Sequence, residues 1–265
     1  MIDDPTERPE ERTGTWSEHA FVALRRDILS GRLRPGTKLR IEQLRDYYRV
    51  GSTPLREALS RLSSEGLVHI EQLKGFRVAT VSRRELEELC ALRVLIESEA
   101  LRQSTQNGDD AWEGQVVAAF HRLDRLEQRL RVGEIPDADE WEERNRQFHE
   151  ALVAGAQSAW LLRLRRQLFD HFERYRRYSR NMIVETSLRA LPDEHRVMME
   201  AALDRRGDDL AALMSTHILS VLDLLRDSFK GVESGQSERE MCADTIGNPI
   251  INLPQMPQVR ILSTK

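Results

Sequence analysis

The stretch that decides the fold is residues 52–79, STPLREALSRLSSEGLVHIEQLKGFRVA, in which a helical pattern changes into a strand pattern. We expect Ser52 or Thr53 to cap the helix, because short hydroxyl side chains satisfy free backbone amides. Pro54 has a φ suited to the first turn, and Gly66 is the expected end of the helix. The buried face is predicted from three leucines at helical spacing, Leu55, Leu59 and Leu62.

Two short strands are predicted directly after this helix and two further helices before it. Residues 67–71 and 76–81 are rich in apolar and β-branched side chains, which is typical of a hairpin. Upstream, a helical period runs from its expected cap Ser17 to Gly31, and a shorter one covers about residues 41–48. Three helices followed by a hairpin indicate a winged helix-turn-helix.

The charge distribution separates this module from the rest of the chain. Residues 17–80 contain 12 Lys and Arg against 7 Asp and Glu, although the whole chain of 265 residues has a net charge of −4. The segment 81–265 is therefore acidic. A basic module in an acidic protein favours a surface that meets a polyanion.

The basic module has the residues expected of a surface that binds double-stranded DNA. The second helix of a helix-turn-helix enters the major groove with its N-terminal end, where Arg56 can bind a guanine or a phosphate. A wing turn can reach the backbone or the minor groove. Each side chain alone could instead be a solvated charge or a simple cap, so the combination carries the prediction. The expected DNA contacts are Arg40, Ser52, Thr53, Pro54, Arg56, Lys74, Gly75 and Arg77.

After Val81 the sequence pattern is helical. Ser82 and Glu85 form the S-x-x-E pattern that opens a helix, and further helical stripes separated by Gly and Pro indicate an antiparallel bundle. The predicted fold class is mainly α, with an N-terminal winged helix-turn-helix followed by an all-helical antiparallel bundle. We predict four segments. Residues 1–16 form a flexible arm and residues 17–81 a DNA-binding domain. Residues 82–231 form an all-helical effector-binding and dimerisation domain, and residues 232–265 a disordered or artificial tail.

Composition excludes several classes of protein. Two cysteines, Cys90 and Cys242, cannot form a disulfide framework, which favours a reducing compartment. The first residues are acidic and polar, unlike a signal peptide, and no window approaches 18 uninterrupted apolar residues. We therefore expect a cytoplasmic protein without a membrane partner.

Three histidines in the helical part are candidate metal ligands. Asn145 and His149 are four residues apart, so a helix would place both on one face, and His195 and His217 lie in two later helices. Three imidazoles and one oxygen suit a divalent transition metal such as zinc, nickel or manganese. A single histidine on a helix is more often merely packed, and sequence spacing alone does not bring three helices together.

The predicted recognition helix and wing resemble the GntR family of bacterial transcription regulators. The helical remainder resembles the FadR-type branch, whose effector domain is called FCD, so the likeness covers about residues 17–230. The family often has arginine at the positions of Glu42 and Ser52, so an operator preference is not carried over. The segments that carry the resemblance are 52–59, Leu62, 65–68 and 74–79.

The resemblance implies a site for a metal and an effector. Many FCD domains carry Asp or Asn four residues before a His, and one His on each of two later helices. These positions correspond to Asn145, His149, His195 and His217. The neutral amide of Asn145 should weaken affinity for hard cations.

The resemblance also implies that Arg93 lies at the pocket and binds the carboxylate of a small organic acid. The alternative is a simple intrahelical salt bridge between Arg93 and Glu97. The arginine-rich run 174–178 suggests a second carboxylate contact and hence a dicarboxylate, although charge runs usually form solvated faces.

Together these features predict a ligand-responsive transcription regulator, a repressor, that binds its operator as a homodimer in the bacterial cytoplasm, on the nucleoid when bound. Two alternatives remain at this point. One is a metal-dependent hydrolase built on the three histidines, although no general base stands beside them in the sequence and we expect no enzyme. The other is a helical interaction adaptor with a structural metal, which would leave the wing unexplained.

Overall fold

The computed structural model of the protein describes residues 15–71, 75–134, 136–178 and 191–229. The chain divides into two units. The first comprises residues up to Ile28 together with Gly36–Ala79, and the second comprises Leu29–Pro35 together with the chain from Thr80 onward. Most of the predicted arm and the whole predicted tail lie outside the described residues.

The first unit is a winged helix-turn-helix, as predicted. Its three strands form an antiparallel sheet in the order β1-β3-β2, in which Leu39 pairs with Phe76 and Val68 pairs with Val78. In chain order the elements are α1 (Trp16–Leu29), β1 (Lys38–Leu39), α2 (Ile41–Tyr48), α3 (Ser52–Ser64), β2 (Val68–Glu71) and β3 (Gly75–Val78).

The interior of this unit is formed by the predicted leucine stripe of α3. Leucine side chains from α1 and α2 complete it, and the fully buried or nearly buried members are Leu24, Leu44, Leu55, Leu59 and Leu62. Burying a leucine side chain stabilises the folded state by about 1.5–3 kcal/mol. The stripe therefore fixes which face of α3 is left for solvent.

Three local predictions for this unit are corrected by the structure. The amide of Glu18 donates to Oγ1 of Thr15 at 3.2 Å, so Thr15 rather than Ser17 caps α1. Gly51 is the N-cap of α3 and has no side-chain cap bond, so neither Ser52 nor Thr53 caps that helix. The strand β1 was not predicted, because two residues are too few to show strand alternation.

The second unit is helical throughout its described part, again as predicted. The helix α4 packs along α9 and α7, and α5 packs against α6 and α8. The elements are α4 (Arg83–Asn107), α5 (Asp110–Arg131), α6 (Ala138–Val153), α7 (Ala159–Tyr178), α8 (Leu191–Leu203) and α9 (Gly207–Phe229). None of the described helices is long and apolar enough to cross a bilayer.

Only one of the two hydrogen bonds of the predicted capping box is present at the start of α4. Oγ of Ser82 accepts the amide of Glu85 at 3.1 Å, as expected of an N-cap. The carboxylate of Glu85 does not return to the Ser82 amide. It accepts from the Tyr175 hydroxyl at 2.6 Å, and that hydroxyl accepts the Ser82 amide at 3.3 Å. A side chain of α7 is thereby bonded to the first turn of α4.

Candidate functional site

The N-terminal end of α3 presents short polar and basic side chains. Gly51 precedes it in an extended conformation, with φ −63° and ψ 162°. Thr53 and Arg56 are exposed, and Ser52 and Pro54 are half-buried. A helix start without a side-chain cap can hold a phosphate at its backbone amides, and an arginine one turn further can reach a base edge.

The other predicted DNA contacts lie near the wing and before α2. Arg40 is exposed, and Gly75 is exposed with a φ of +94°, which favours glycine. Lys74 lies outside the described residues. The guanidinium of Arg77 donates to Glu71 at 2.6 Å and to the carbonyl of a turn glycine at 2.6 Å, so it braces the sheet. Contact between Arg77 and DNA stays a prediction.

Three helices of the second unit bring the predicted histidines together. His149 on α6, His195 on α8 and His217 on α9 are 1%, 0% and 5% exposed. Their ring centroids lie 5.1 to 5.5 Å apart. One nitrogen from each ring falls within 4.8 Å of the other two. Helix packing thus supplies the convergence that sequence spacing could not show.

Two glutamates orient the imidazoles. Nδ1 of His195 lies 2.9 Å from Oε1 of Glu127, and Nδ1 of His217 lies 2.7 Å from Oε2 of Glu194. A carboxylate accepts only, so Nδ1 of each ring carries the proton and Nε2 keeps its lone pair. Neither glutamate was singled out from the sequence. Carboxylate–histidine pairs of this kind fix ring tautomers in metal sites.

Burial favours the neutral form of two of these imidazoles, His149 and His217. It lowers the pKa of His149 well below the usual value, and the neighbouring His217 and His195 lower it further. Burial also lowers the pKa of His217 to about 4, although the hydrogen bond to Glu194 opposes this shift. Among the described residues, Nδ1 of His149 and Nε2 of His195 are buried without a hydrogen-bond partner. Neutral rings with unused lone pairs are the form in which histidine binds metals.

The predicted fourth ligand faces a guanidinium instead of solvent. Asn145 lies one turn before His149 and is 1% exposed. In the orientation that satisfies its amide, its oxygen accepts from Arg176 Nη1 at 2.8 Å and Nη2 at 3.2 Å. To ligate an ion, the Asn145 oxygen would have to leave Arg176. Its role as a metal ligand therefore stays a prediction.

The intrahelical salt bridge between Arg93 and Glu97 is present, but it is buried and a second arginine shares it. Its Nε and Nη2 donate to Oε1 of Glu97 at 3.3 and 2.7 Å, and Nε of Arg165 donates to Oε2 of the same carboxylate at 3.2 Å. Burial acts to raise the pKa of Glu97, but Arg165 and Arg93 outweigh it and hold this pKa below its usual value. One carboxylate is thus shared by two guanidiniums.

Arg165 was missed by sequence reasoning, and Arg176 was noticed only as part of a charged run. The residues of that run have different partners in the structure, because successive side chains on a helix point in different directions. Arg174 donates to a backbone carbonyl at 3.2 Å, Tyr175 donates to Glu85, and Arg177 pairs with a glutamate one turn earlier. Only Arg176 of the run contacts Asn145.

A winged helix-turn-helix joined to a helical unit is the architecture of a class of DNA-binding transcription regulators. Comparison with known proteins identifies the family. Residues 17–78 match the bacterial regulatory proteins of the gntR family, and residues 88–220 match the FCD domain. The chain belongs to the GntR family, with an FCD domain, as the resemblance predicted.

Two relatives cover most of the chain. An uncharacterized HTH-type transcriptional regulator, BphR of Paraburkholderia xenovorans (strain LB400), is 38% identical over 209 residues, which are 79% of this chain and 84% of that protein. The HTH-type transcriptional repressor GlaR of Escherichia coli (strain K12) is 35% identical over 210 residues, 78% of this chain and 94% of that protein.

A solved structure shows the same fold at low identity. Escherichia coli McbR/YncC superposes with a TM-score of 0.72 and 19% identity, covering 82% of this chain and all of that one. The family and the relatives are DNA-binding transcription regulators, not enzymes. The hydrolase alternative is therefore wrong, and the adaptor alternative does not account for the DNA-binding family.

Proposed function

We propose that this regulator is a repressor whose helical domain binds a divalent transition metal and a small carboxylate, and that the carboxylate alters operator binding. The observation that carries the proposal is a pair of buried ring nitrogens, Nδ1 of His149 and Nε2 of His195, which have no hydrogen-bond partner in the described part of the chain. Buried polar atoms are almost always satisfied, so two such atoms converging on a third imidazole call for a ligand.

The donor set fits a borderline divalent ion. His149, His195 and His217 would hold it, with Glu127 and Glu194 as the carboxylates that orient two of the rings. Zinc, nickel and manganese are the candidates, and the absence of a charged ligand among the three imidazoles favours zinc or nickel. A bound ion would supply a position for an anionic oxygen of the effector.

The effector proposed for this site is a small organic acid. Arg93 is 3% exposed and would offer its guanidinium to one carboxylate. Burial lowers the pKa of Arg93, but Glu97 opposes the shift, and an arginine remains charged at neutral pH. A cation held in the interior beside these imidazoles attracts an anion.

The DNA side of the proposal concerns α3. Two copies of the chain, acting as a homodimer, place two recognition helices in successive major grooves of a pseudo-palindromic operator. Thr53 and Arg56 read base edges, and Arg40 and Gly75 approach the backbone. The name of GlaR, a transcriptional repressor, supports repression as the direction of control.

Titration of the full-length protein, stripped by a chelator, tests the metal site directly. We expect tight binding of one Zn²⁺ or Ni²⁺ per chain, measured by calorimetry, and a loss of at least about 100-fold in His149→Ala, since a direct ligand is worth no less than an outer-shell partner. His121→Ala is the matched control, because His121 is exposed on α5. Equal metal affinity in both variants would remove the histidine cluster from the proposal.

A further inference from the structure

One face of α7 carries an arginine at each end of an aromatic pair. Arg165, Phe169, Phe172 and Arg176 follow the spacing i, i+4, i+7, i+11, so they share one side of the helix. The two arginines are separated by about 16 Å along the helix axis at 1.5 Å per residue. Both guanidiniums nevertheless lie against the same ring, because the Cζ atoms are 4.6 and 5.4 Å from the centroid of Phe169.

This aromatic pair connects the arginines to the histidine cluster. The Cζ atom of Arg93 lies 4.4 Å from the Phe172 centroid and 5.1 Å from the Phe169 centroid. The His149 ring lies 6.0 Å from the Phe169 ring. Arg165 contributes to lowering the pKa of His149, after burial and the other two imidazoles. Three guanidiniums and the candidate metal ligands therefore occupy one region.

Among the described residues, fewer carboxylates pair directly with these three guanidiniums than there are guanidiniums, because Glu127 and Glu194 bond to the imidazoles instead. Arg93 and Arg165 share the single carboxylate of Glu97, and Arg176 donates to Glu142 at 2.7 Å. Burial raises the pKa of Glu142, although Arg176 opposes the shift. A fourth arginine near Phe169, Arg146, pairs with Asp170 and with Glu173, and Glu173 also pairs with Arg177. Three guanidiniums thus face two carboxylates.

The hydrogen-bond donors show the same excess. Nη2 of Arg165 and Nε of Arg176 are buried, and within the described ranges neither has a hydrogen-bond partner. Both arginines are at most 5% exposed, so water does not replace the partner readily. A buried guanidinium with an unused N–H is costly unless an acceptor fills the position. Charge-assisted bonds to a carboxylate or a phosphate are the strongest way to satisfy it.

We propose that Nη2 of Arg165 and Nε of Arg176 bind a second oxyanion of the effector, so that the ligand carries two anionic groups. This inference rests on the proposed function, in which the histidine cluster and Arg93 take the first carboxylate. The second oxyanion is a carboxylate or a phosphonate-type group, which share the chemistry that a guanidinium recognises.

The test compares acids that differ only in the second charge. Full-length protein supplied with Zn²⁺ is titrated by calorimetry with the straight-chain dicarboxylates from malonate to adipate, each beside the monocarboxylate of equal carbon number. Phosphonocarboxylates of matched length form a third arm that distinguishes the two oxyanions. We expect the best doubly charged acid to bind at least about tenfold more tightly than its singly charged partner.

Two conservative variants assign the selectivity to the arginines. Arg165→Lys and Arg176→Lys keep the charge beside Glu97 and Glu142 but remove the forked donors. Each should reduce the preference for the doubly charged acid, taken as the ratio of the two affinities in the same variant, to less than about threefold. Arg166→Lys, an exposed position on the same helix, should keep the full preference.

The outcomes separate this inference from the proposed function. If the singly and doubly charged acids bind the unmodified protein equally, or if both lysine variants weaken both acids by the same factor, the second oxyanion site is refuted and the first carboxylate stands. If no acid binds a protein that has taken up Zn²⁺, the proposed effector fails and this inference fails with it. The comparison of singly and doubly charged acids in the unmodified protein tests the second oxyanion site even if a variant does not fold.

Discussion

The buried carboxylate of Glu97 offers the sharpest test of how the helical unit is held together. Glu97 is 1% exposed and accepts bonds from both Arg93 and Arg165. Glu97→Gln keeps the shape but removes the only charge that these two guanidiniums share. Breaking a buried ion pair by removing one partner costs about 3–5 kcal/mol.

That loss should be visible as a large shift of the thermal transition. About 2–4 °C per kcal/mol is typical for a domain of 150–250 residues, so Glu97→Gln should lower Tm by roughly 6–20 °C. Circular dichroism of the full chain without added metal or acid measures it. Glu88→Gln is the control, because Glu88 pairs with the fully exposed Arg84 on the same helix and should leave Tm unchanged. Equal shifts in the two variants would refute the assignment of Glu97 as the shared counter-ion.

Three further predictions concern the metal site, its titration and DNA. Asn145→Ala should weaken Zn²⁺ binding by less than about threefold, because Arg176 holds the amide oxygen. His195→Ala should weaken it by at least about 100-fold. Calorimetry measures the Zn²⁺ affinity of both variants. In metal-free protein, the pKa of His217 is about 4 in the folded state and about 6.5 in the unfolded state. Between these two pH values the unfolded chain binds more protons than the folded chain. The stability that is present above pH 6.5 is therefore lost as the pH falls to 4. Urea unfolding of the unmodified protein should show this loss, which is on the order of 3 kcal/mol, and the loss should be smaller in His217→Phe. An equal loss in the two proteins would contradict the lowered pKa of His217. Arg56→Ala should weaken operator binding by about 1–3 kcal/mol in a mobility-shift assay while Arg84→Ala does not, and normal affinity would remove Arg56 from the interface.

The winged helix-turn-helix could be predicted because local patterns determine it. The leucine stripe of α3, the glycine after it and the two strand segments all lie within 52–79, so no long-range contact was needed. The errors are at caps and at β1. Whether Thr15 or Ser17 accepts the first free amide depends on where the chain turns into the helix, and a two-residue strand has no period to detect.

The candidate site could be predicted only in part, because it is assembled by helix packing. His149, His195 and His217 stand on three helices whose contact no spacing encodes, and family resemblance supplied it. Arg165 and Arg176 were overlooked as a pair because an 11-residue separation across two phenylalanines resembles an ordinary core stripe. The sequence feature that could have identified this pair is an arginine at each end of an apolar helix face.

Selection of bound genomic fragments by the Zn²⁺-supplied protein, with and without each acid of the series, tests directly whether the helical domain controls DNA binding. We expect enrichment of one pseudo-palindromic sequence, and a change in that enrichment with a doubly charged acid that disappears in His149→Ala. Enrichment that is identical with every acid, in both the unmodified protein and the variant, would contradict a regulator whose helical domain senses a metal-bound carboxylate.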